Sequence, residues 1–180
     1  MDKNIFTQTG LEIQRKRVAR QNSVVLTTGT EVGEEAGPNC DWHDNAGFED
    51  AQRRLEMESR RLGGLRSLEA GAQIIEVIEQ ATRVAIGNTV EYIVYEGEKE
   101  TTKEATIGAT GEMKLDQGLV TYKSPVAQVL LGLTVGDSIE ATLNGRQVEV
   151  EVTNIFPPSQ KYRRLIAELL AVEEALDAKK

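Results

Sequence analysis

Apolar residues return every seven positions over the first third of the chain, in two separate series. Leu11, Val18, Val25 and Val32 form the first, and that spacing places them on one stripe of an α-helix. Gln14, Gln21 and Thr28 fill the partner positions and are polar. The run at 23–29, Ser-Val-Val-Leu-Thr-Thr-Gly, also fits a strand on propensity alone. Gly37-Pro38-Asn39 stops whichever element precedes it. The second series is Phe48, Leu55 and Leu62, continuing through Leu65, Leu68, Ala72 and Ile75, with Asp44 as N-cap. Gly63-Gly64 interrupts it at about 1 kcal/mol per glycine relative to alanine, which predicts a bend or a close backbone approach there. Two such helices with a short connection predict an antiparallel hairpin. About 28 residues at 1.5 Å each make an arm of roughly 40 Å, with its tip far from the body.

Past residue 82 the period drops to two. Short strands are predicted at 89–95, 103–107 and 118–122. Ser124-Pro125 opens a helix, with Ser as N-cap and Pro at the first helical position, and Gly132 closes it. Asn144-Gly145 between 138–143 and 147–152 is a hairpin turn. Val148, Val150 and Val152 alternate with Glu149, Glu151 and Thr153, so that strand buries one face. Pro157-Pro158 breaks the chain, and Leu165, Ile166, Leu169, Leu170, Val172 and Leu176 give a last helix, 162–178, an apolar face for docking on the chain or a partner. The fold class is α+β: a helical hairpin (1–80), a small β-rich domain with one helix (81–156) and a C-terminal helical extension (157–180).

Composition narrows the function classes. The 180 residues carry 21 Lys+Arg against 29 Asp+Glu, a net charge of -8, which argues against a general nucleic-acid coat or an anionic-membrane binder. A 4% aromatic content leaves little to line an aromatic substrate pocket. One cysteine excludes an intramolecular disulfide framework. Residues 1–6 contain no apolar leader, and no run approaches about 18 apolar residues. A cytoplasmic protein away from membranes is expected.

The only Cys, Trp and His fall together in Cys40-Asp41-Trp42-His43-Asp44-Asn45. Cys40 and His43 lack the further ligands of a zinc site and the orienting group of a nucleophile pair. Asp41 and Asp44 admit two readings. Acids around a first helical turn cap free N–H groups; two carboxylates on an arm's end also suit a hard cation such as Mg²⁺, provided a partner supplies the remaining ligands. Arg15, Lys16, Arg17 and Arg20 on the first helix, with Arg53, Arg54, Arg60 and Arg61 on the second, either pair with Glu49, Glu56 and Glu58 or contact phosphate.

The run Asp41-Trp42-His43-Asp44-Asn45-Ala46-Gly47-Phe48 resembles the G-D-L-S-E-N-A-E-Y signature at the coiled-coil tip of bacterial Gre transcript-cleavage factors (the GreA/GreB family). Ser124 to Gly132, then Val135-Gly136-Asp137, then Asn144-Gly145 and the strand after it, resemble that family's S-P-x-x-x-x-L-x-G, V-G-D and G-G-x-x-x-Y-x-V patterns in its FKBP-like C-terminal domain. Asp44 stands where the family has Glu, one methylene or about 1.5 Å shorter. The extension after Pro157 has no usual counterpart.

The resemblance implies a divergent transcription elongation factor rather than an enzyme in its own right. Its partner would be RNA polymerase, and its coiled coil would enter the secondary channel and stimulate cleavage of backtracked RNA. Asp41 and Asp44 match the tip acids that share Mg²⁺ with the polymerase site, and act there as catalytic and metal-binding residues. Arg53 and Arg54 match the patch that contacts the nascent RNA 3′ end, and Ser124 and Pro125 the polymerase-docking motif. The implied setting is the cytoplasm, alongside the DNA-binding transcription machinery, as a monomer. Rival readings are a Gre-like regulator that inhibits from the channel, an FKBP-like peptidyl-prolyl isomerase or chaperone, and a coiled-coil dimerisation module.

Overall fold

The computed structural model describes residues 4–36, 46–79, 82–158 and 160–177. Helix α1 (Gln8–Ala36) and helix α2 (Ala46–Glu69) pack against each other as the hairpin. The β-branched stretch after Ser23 is helical. Ser23, Thr27 and Thr30 each turn their hydroxyl onto the carbonyl four residues back, at 3.3, 3.1 and 3.2 Å, a local outlet that lets such residues sit in a helix.

The seam differs from the apolar stripe expected. Leu11 is buried, but Val18, Val25 and Val32 are only half-buried, whereas the polar series Gln14, Gln21 and Thr28 is buried. Gln14 Nε2 donates to the Leu65 carbonyl at 2.9 Å and Gln21 Nε2 to the Glu58 carbonyl at 3.2 Å. The donors are one heptad apart on α1 and the acceptors one heptad apart on α2, in reverse order, so both bonds specify the same antiparallel register. One heptad further along, that register sets Thr28 opposite Ala51, and both are buried. Polar residues in a helical seam fix register at a cost in stability.

Two expectations about α2 need correction. The helix ends at Glu69, so Ala72 and Ile75 are not on it. Gly71, at φ 77°, turns the chain out, a left-handed conformation that glycine adopts without strain. Gly63 and Gly64 lie within continuous helix, and a side chain at either would meet nothing within 4 Å among the described residues. Among the described residues, no close backbone approach explains them.

The chain entering and leaving the hairpin pairs as a parallel clasp, β1 (Ile5–Phe6) with β2 (Gln73–Ile74). Beyond it lies a five-stranded sheet, ordered β5-β4-β3-β7-β6. Its strands are β3 (Thr89–Glu96), β4 (Lys99–Gly108), β5 (Leu119–Thr121), β6 (Ser138–Leu143) and β7 (Arg146–Phe156). All neighbours are antiparallel except β4 with β5. The β6–β7 turn has positive φ at both Asn144 (53°) and Gly145 (78°), the type I′ geometry whose twist matches the strands it joins. Val148, Val150 and Val152 face inward, as their alternation predicts, and join Val90, Ile107 and Leu130 in the core. Helix α3 (Pro125–Leu130) covers this face, with Ser124 as N-cap accepting from the Ala127 N–H at 3.3 Å.

The last helix, α4 (Gln160–Asp177), docks on the chain itself. Tyr162, Leu165 and Ile166 share a second apolar cluster with Ile13 of α1 and Leu119 of β5.

Candidate functional site

The first place that matters is the far part of the hairpin, its connecting segment and the basic residues beside it. Asp41 and Asp44, with Cys40, His43 and Asn45, lie outside the described residues. Among the described residues, no group of three or more His, Cys, Asp or Glu is arranged to hold a metal ion. Arg53 and Arg54 sit two turns into α2 on its exposed side. Arg53 Nη2 is 3.1 Å from Glu49, and Arg54 reaches Asp50 at 3.4 Å and Glu31 of α1 at 3.5 Å. Arg60 pairs with Glu56 in the same way. Apart from the Arg54–Glu31 pair, which bridges the two helices, these are the helix-surface pairs expected at i,i+4 spacing, and each exposed pair contributes only a few tenths of a kcal/mol. On α1, Lys16, Arg17 and Arg20 do not face solvent as a free basic strip; they pair with Glu173 and Glu174 of α4.

The second place is on the sheet. Pro125 and Val126 at the start of α3 form one wall of a cleft of about 600 Å³, with Tyr92, Val94, Leu143 and Val148 below and Glu96, Lys103 and Arg146 at its rim. The helix start is pre-set by Ser124 and Pro125, and Gln128 Nε2 secures it by donating to the Tyr122 carbonyl at 2.7 Å. The Val-Gly-Asp run is a turn rather than a site. One Asp137 oxygen accepts from the Thr134 N–H (2.7 Å) and hydroxyl (2.9 Å). Those bonds hold its carboxyl below the usual carboxylate range.

A third place was not legible from spacing. Glu112 is fully buried where the base of the hairpin meets the sheet and α4. Its carboxylate accepts from the Thr7 hydroxyl, from the Ala109 N–H at 2.8 Å and from the Tyr162 hydroxyl at 2.8 Å. Thr7 in turn caps α1 by accepting from the Gly10 N–H at 2.9 Å, so the charge sits near the positive end of that helix. Burial, then the Glu112 charge beside it, push the Tyr162 hydroxyl far above its ordinary pKa. Nearby, Lys123 Nζ donates to the Asn4 side chain at 2.6 Å, and Asn4 donates to the Leu68 carbonyl at 2.9 Å, tying sheet, clasp and α2 together. The sequence around this node offers only a lone Glu between Thr110-Gly111 and Met113-Lys114.

Residues 79–157 match the family model for the C-terminal region of the transcription elongation factors GreA/GreB. Transcription elongation factor GreA of Jannaschia sp. (strain CCS1) is 30% identical over 160 residues, covering 86% of this chain and 98% of that protein. The chain belongs to the GreA/GreB family. The GreA of Nautilia profundicola is 31% identical over 160 residues, with 86% and 95% covered. Among solved structures, GreA factor homolog 1 of Thermus thermophilus is 20% identical, covers 86% of this chain and 99% of that one, and overlays with a TM-score of 0.41, too loose a fit to argue from. As a GreA/GreB member the chain is a transcription elongation factor rather than an enzyme of its own. A peptidyl-prolyl isomerase has no support: the cleft beside α3 has Tyr92 as the one aromatic among its described lining residues.

Proposed function

We propose that this elongation factor binds bacterial RNA polymerase through its sheet unit, passes its hairpin into the secondary channel and stimulates cleavage of backtracked RNA. The observation that carries the reading is the GreA match over 160 residues, long enough to span both hairpin and sheet, joined to an arm whose connecting segment holds Asp41 and Asp44. At 1.5 Å per residue, the 29 residues of α1 reach about 43 Å.

In this reading the polymerase holds the reacting RNA and this chain completes the site. Two carboxylates are the hard oxygen donors that Mg²⁺ prefers, so the donor set fits, with Asp41 and Asp44 as the residues that hold the ion. When bound, Mg²⁺ activates water and offsets charge on the phosphate undergoing displacement. Arg53 and Arg54 steer the extruded RNA 3′ segment. Exchanging Glu49, Asp50 and Glu31 for RNA phosphates costs them little, because their present pairs are exposed and weak. The cleft walled by Pro125 and Val126 is the docking face for polymerase.

The test is a stalled, backtracked polymerase complex with Mg²⁺. Added protein should shorten the RNA from its 3′ end, and the Pro125→Ala, Val126→Glu double variant should bind core polymerase at least about tenfold more weakly, a loss of about 1.4 kcal/mol. Binding without any shortening would instead make the protein a channel-occupying inhibitor, the reading to which the shorter Asp44 side chain points.

A further inference from the structure

Helix α4 starts at Gln160, three residues past the end of the family-model match. The Jannaschia and Nautilia GreA proteins are matched over 98% and 95% of their length while covering 86% of this chain. What α4 does is therefore a question about this chain in particular.

The order of charges along α4 is informative. Lys161, Arg163 and Arg164 occupy its first turns, and Glu168, Glu173 and Glu174 its later ones. The helix dipole favours the opposite order, with acids first and bases last. The surface beneath accounts for the reversal. Lys161 pairs with Glu104 of β4, Arg163 with Glu79 in the link that follows the hairpin, and Glu168 with Lys114 at 2.8 Å. Further along, Glu173 takes Arg17 Nε at 2.7 Å and Arg20 Nη1 at 2.6 Å, and Glu174 takes Lys16 at 3.7 Å. One half of the helix grips the sheet unit and the other grips the hairpin. The apolar cluster of Tyr162, Leu165, Ile166, Ile13 and Leu119 lies between them.

We propose that α4 is a brace that fixes the angle of the hairpin on the sheet, with Glu173, Arg17 and Arg20 as its clasp. Other ties between the two units, among the described residues, include the Thr110 N–H to the Ile5 carbonyl at 2.8 Å, the Ile5 N–H to the Tyr122 hydroxyl, the Thr7 hydroxyl to Glu112 and Lys123 to Asn4, all at the hairpin's base, and Arg17 Nη1 to the Gly111 carbonyl at 3.1 Å, made by one of the clasp arginines. Ties at a base form a hinge. Arg20 lies twelve residues into α1, about 18 Å up the arm at 1.5 Å per residue, where a bond has leverage against swinging. The clasp is partly shielded, with the Glu173 side chain 7% exposed and both arginines 27% exposed. This device goes beyond the polymerase reading and stands without it.

The full chain with Cys40→Ser takes spin labels at Gln52→Cys on the hairpin and Glu140→Cys on the sheet, and the distance between them is read by pulsed electron resonance. The chain without further change should give one narrow distance in low salt. Glu173→Arg should lose the single distance in low salt, and adding Arg20→Glu should restore it. Amide exchange in β3 and β7 should stay as slow as in the parent chain throughout. An unchanged narrow distance in Glu173→Arg would overturn the proposal. So would loss of β3 and β7 protection, which would make α4 part of the core instead of a brace.

Discussion

Glu112 accepts from Thr7, Ala109 and Tyr162 in a place closed to solvent. Removing an acceptor there strands donors that water cannot satisfy, at about 1–3 kcal/mol for each group. Glu112→Ala should therefore lower unfolding stability by at least about 2 kcal/mol in urea melts. Gly10→Ala should also destabilise, because its added carbon would stand 2.8 Å from the Glu112 carboxylate and 3.1 Å from the Thr7 hydroxyl. Tyr162 gives a pH signature. Its folded pKa is raised above the ordinary 10.0, chiefly by burial and then by the Glu112 charge, so the unfolded chain gives up this proton first. Its contribution is intact below pH 10 and is lost as pH rises above it. Stability should fall in alkali more steeply than in Tyr162→Phe, by up to about 1.4 kcal/mol per pH unit for the one proton. Parallel alkaline slopes for the two proteins would refute the assignment. None of this was legible in the sequence: Glu112 and Tyr162 are 50 residues apart, and no periodic pattern connects them.

The elements were more legible than their contacts. Period-two alternation and Asn144-Gly145 predicted β6 and β7, and Ser124-Pro125 predicted α3, because in each case the local chemistry and the tertiary demand agree. The seven-residue repeat predicted both hairpin helices, yet it favoured the valine series over the glutamines that are buried deeper. Side-chain hydropathy carries no information about a carbonyl waiting on the opposite helix. The same blindness produced the overlong α2, where Ala72 and Ile75 continued the apolar rhythm past the turn at Gly71. Among the described residues, nothing lies within 4 Å of the position a side chain would take at Gly63 or Gly64. Gly63→Ala and Gly64→Ala should each stabilise the hairpin by about 1 kcal/mol, read from the thermal midpoint. A loss of stability would reveal a contact that the structure does not contain. At the clasp, burial works against the Glu173 charge, but the bonds from Arg17 and Arg20 outweigh it and hold its carboxyl below the ordinary 4.5. With Lys16 and Glu174 alongside, its contribution is present above that ordinary value and is lost as pH falls through the lowered one. Acid should therefore loosen α4 from α1, seen as faster amide exchange in residues 166–177, and Glu173→Gln should already show that looseness at neutral pH.

Across the whole molecule, an α+β body carries a long helical arm, and the family match extends over both. The polar seam gives the arm a fixed register at some expense in stability, while the clasp, the Glu112 node and α4 set where it points. The family was legible because its motifs are local runs, the tip signature and the Ser-Pro helix start. The α4 brace was not, because its meaning lies in which charges meet across distant stretches of chain, 156 residues for Arg17 and Glu173. The central claim is that Asp41 and Asp44 supply the chemistry at the arm's end. Loss of an N-cap costs only about 1 kcal/mol, so replacing either should leave fold and polymerase binding nearly unchanged. The decisive measurement is the rate of RNA shortening in backtracked polymerase complexes with saturating wild-type protein, Asp41→Ala or Asp44→Ala. The expected result is rapid shortening with wild type and a fall of about 100-fold or more in each variant, the scale of a misplaced catalytic group. Equal rates in all three proteins, with equal occupancy of the polymerase, would contradict it.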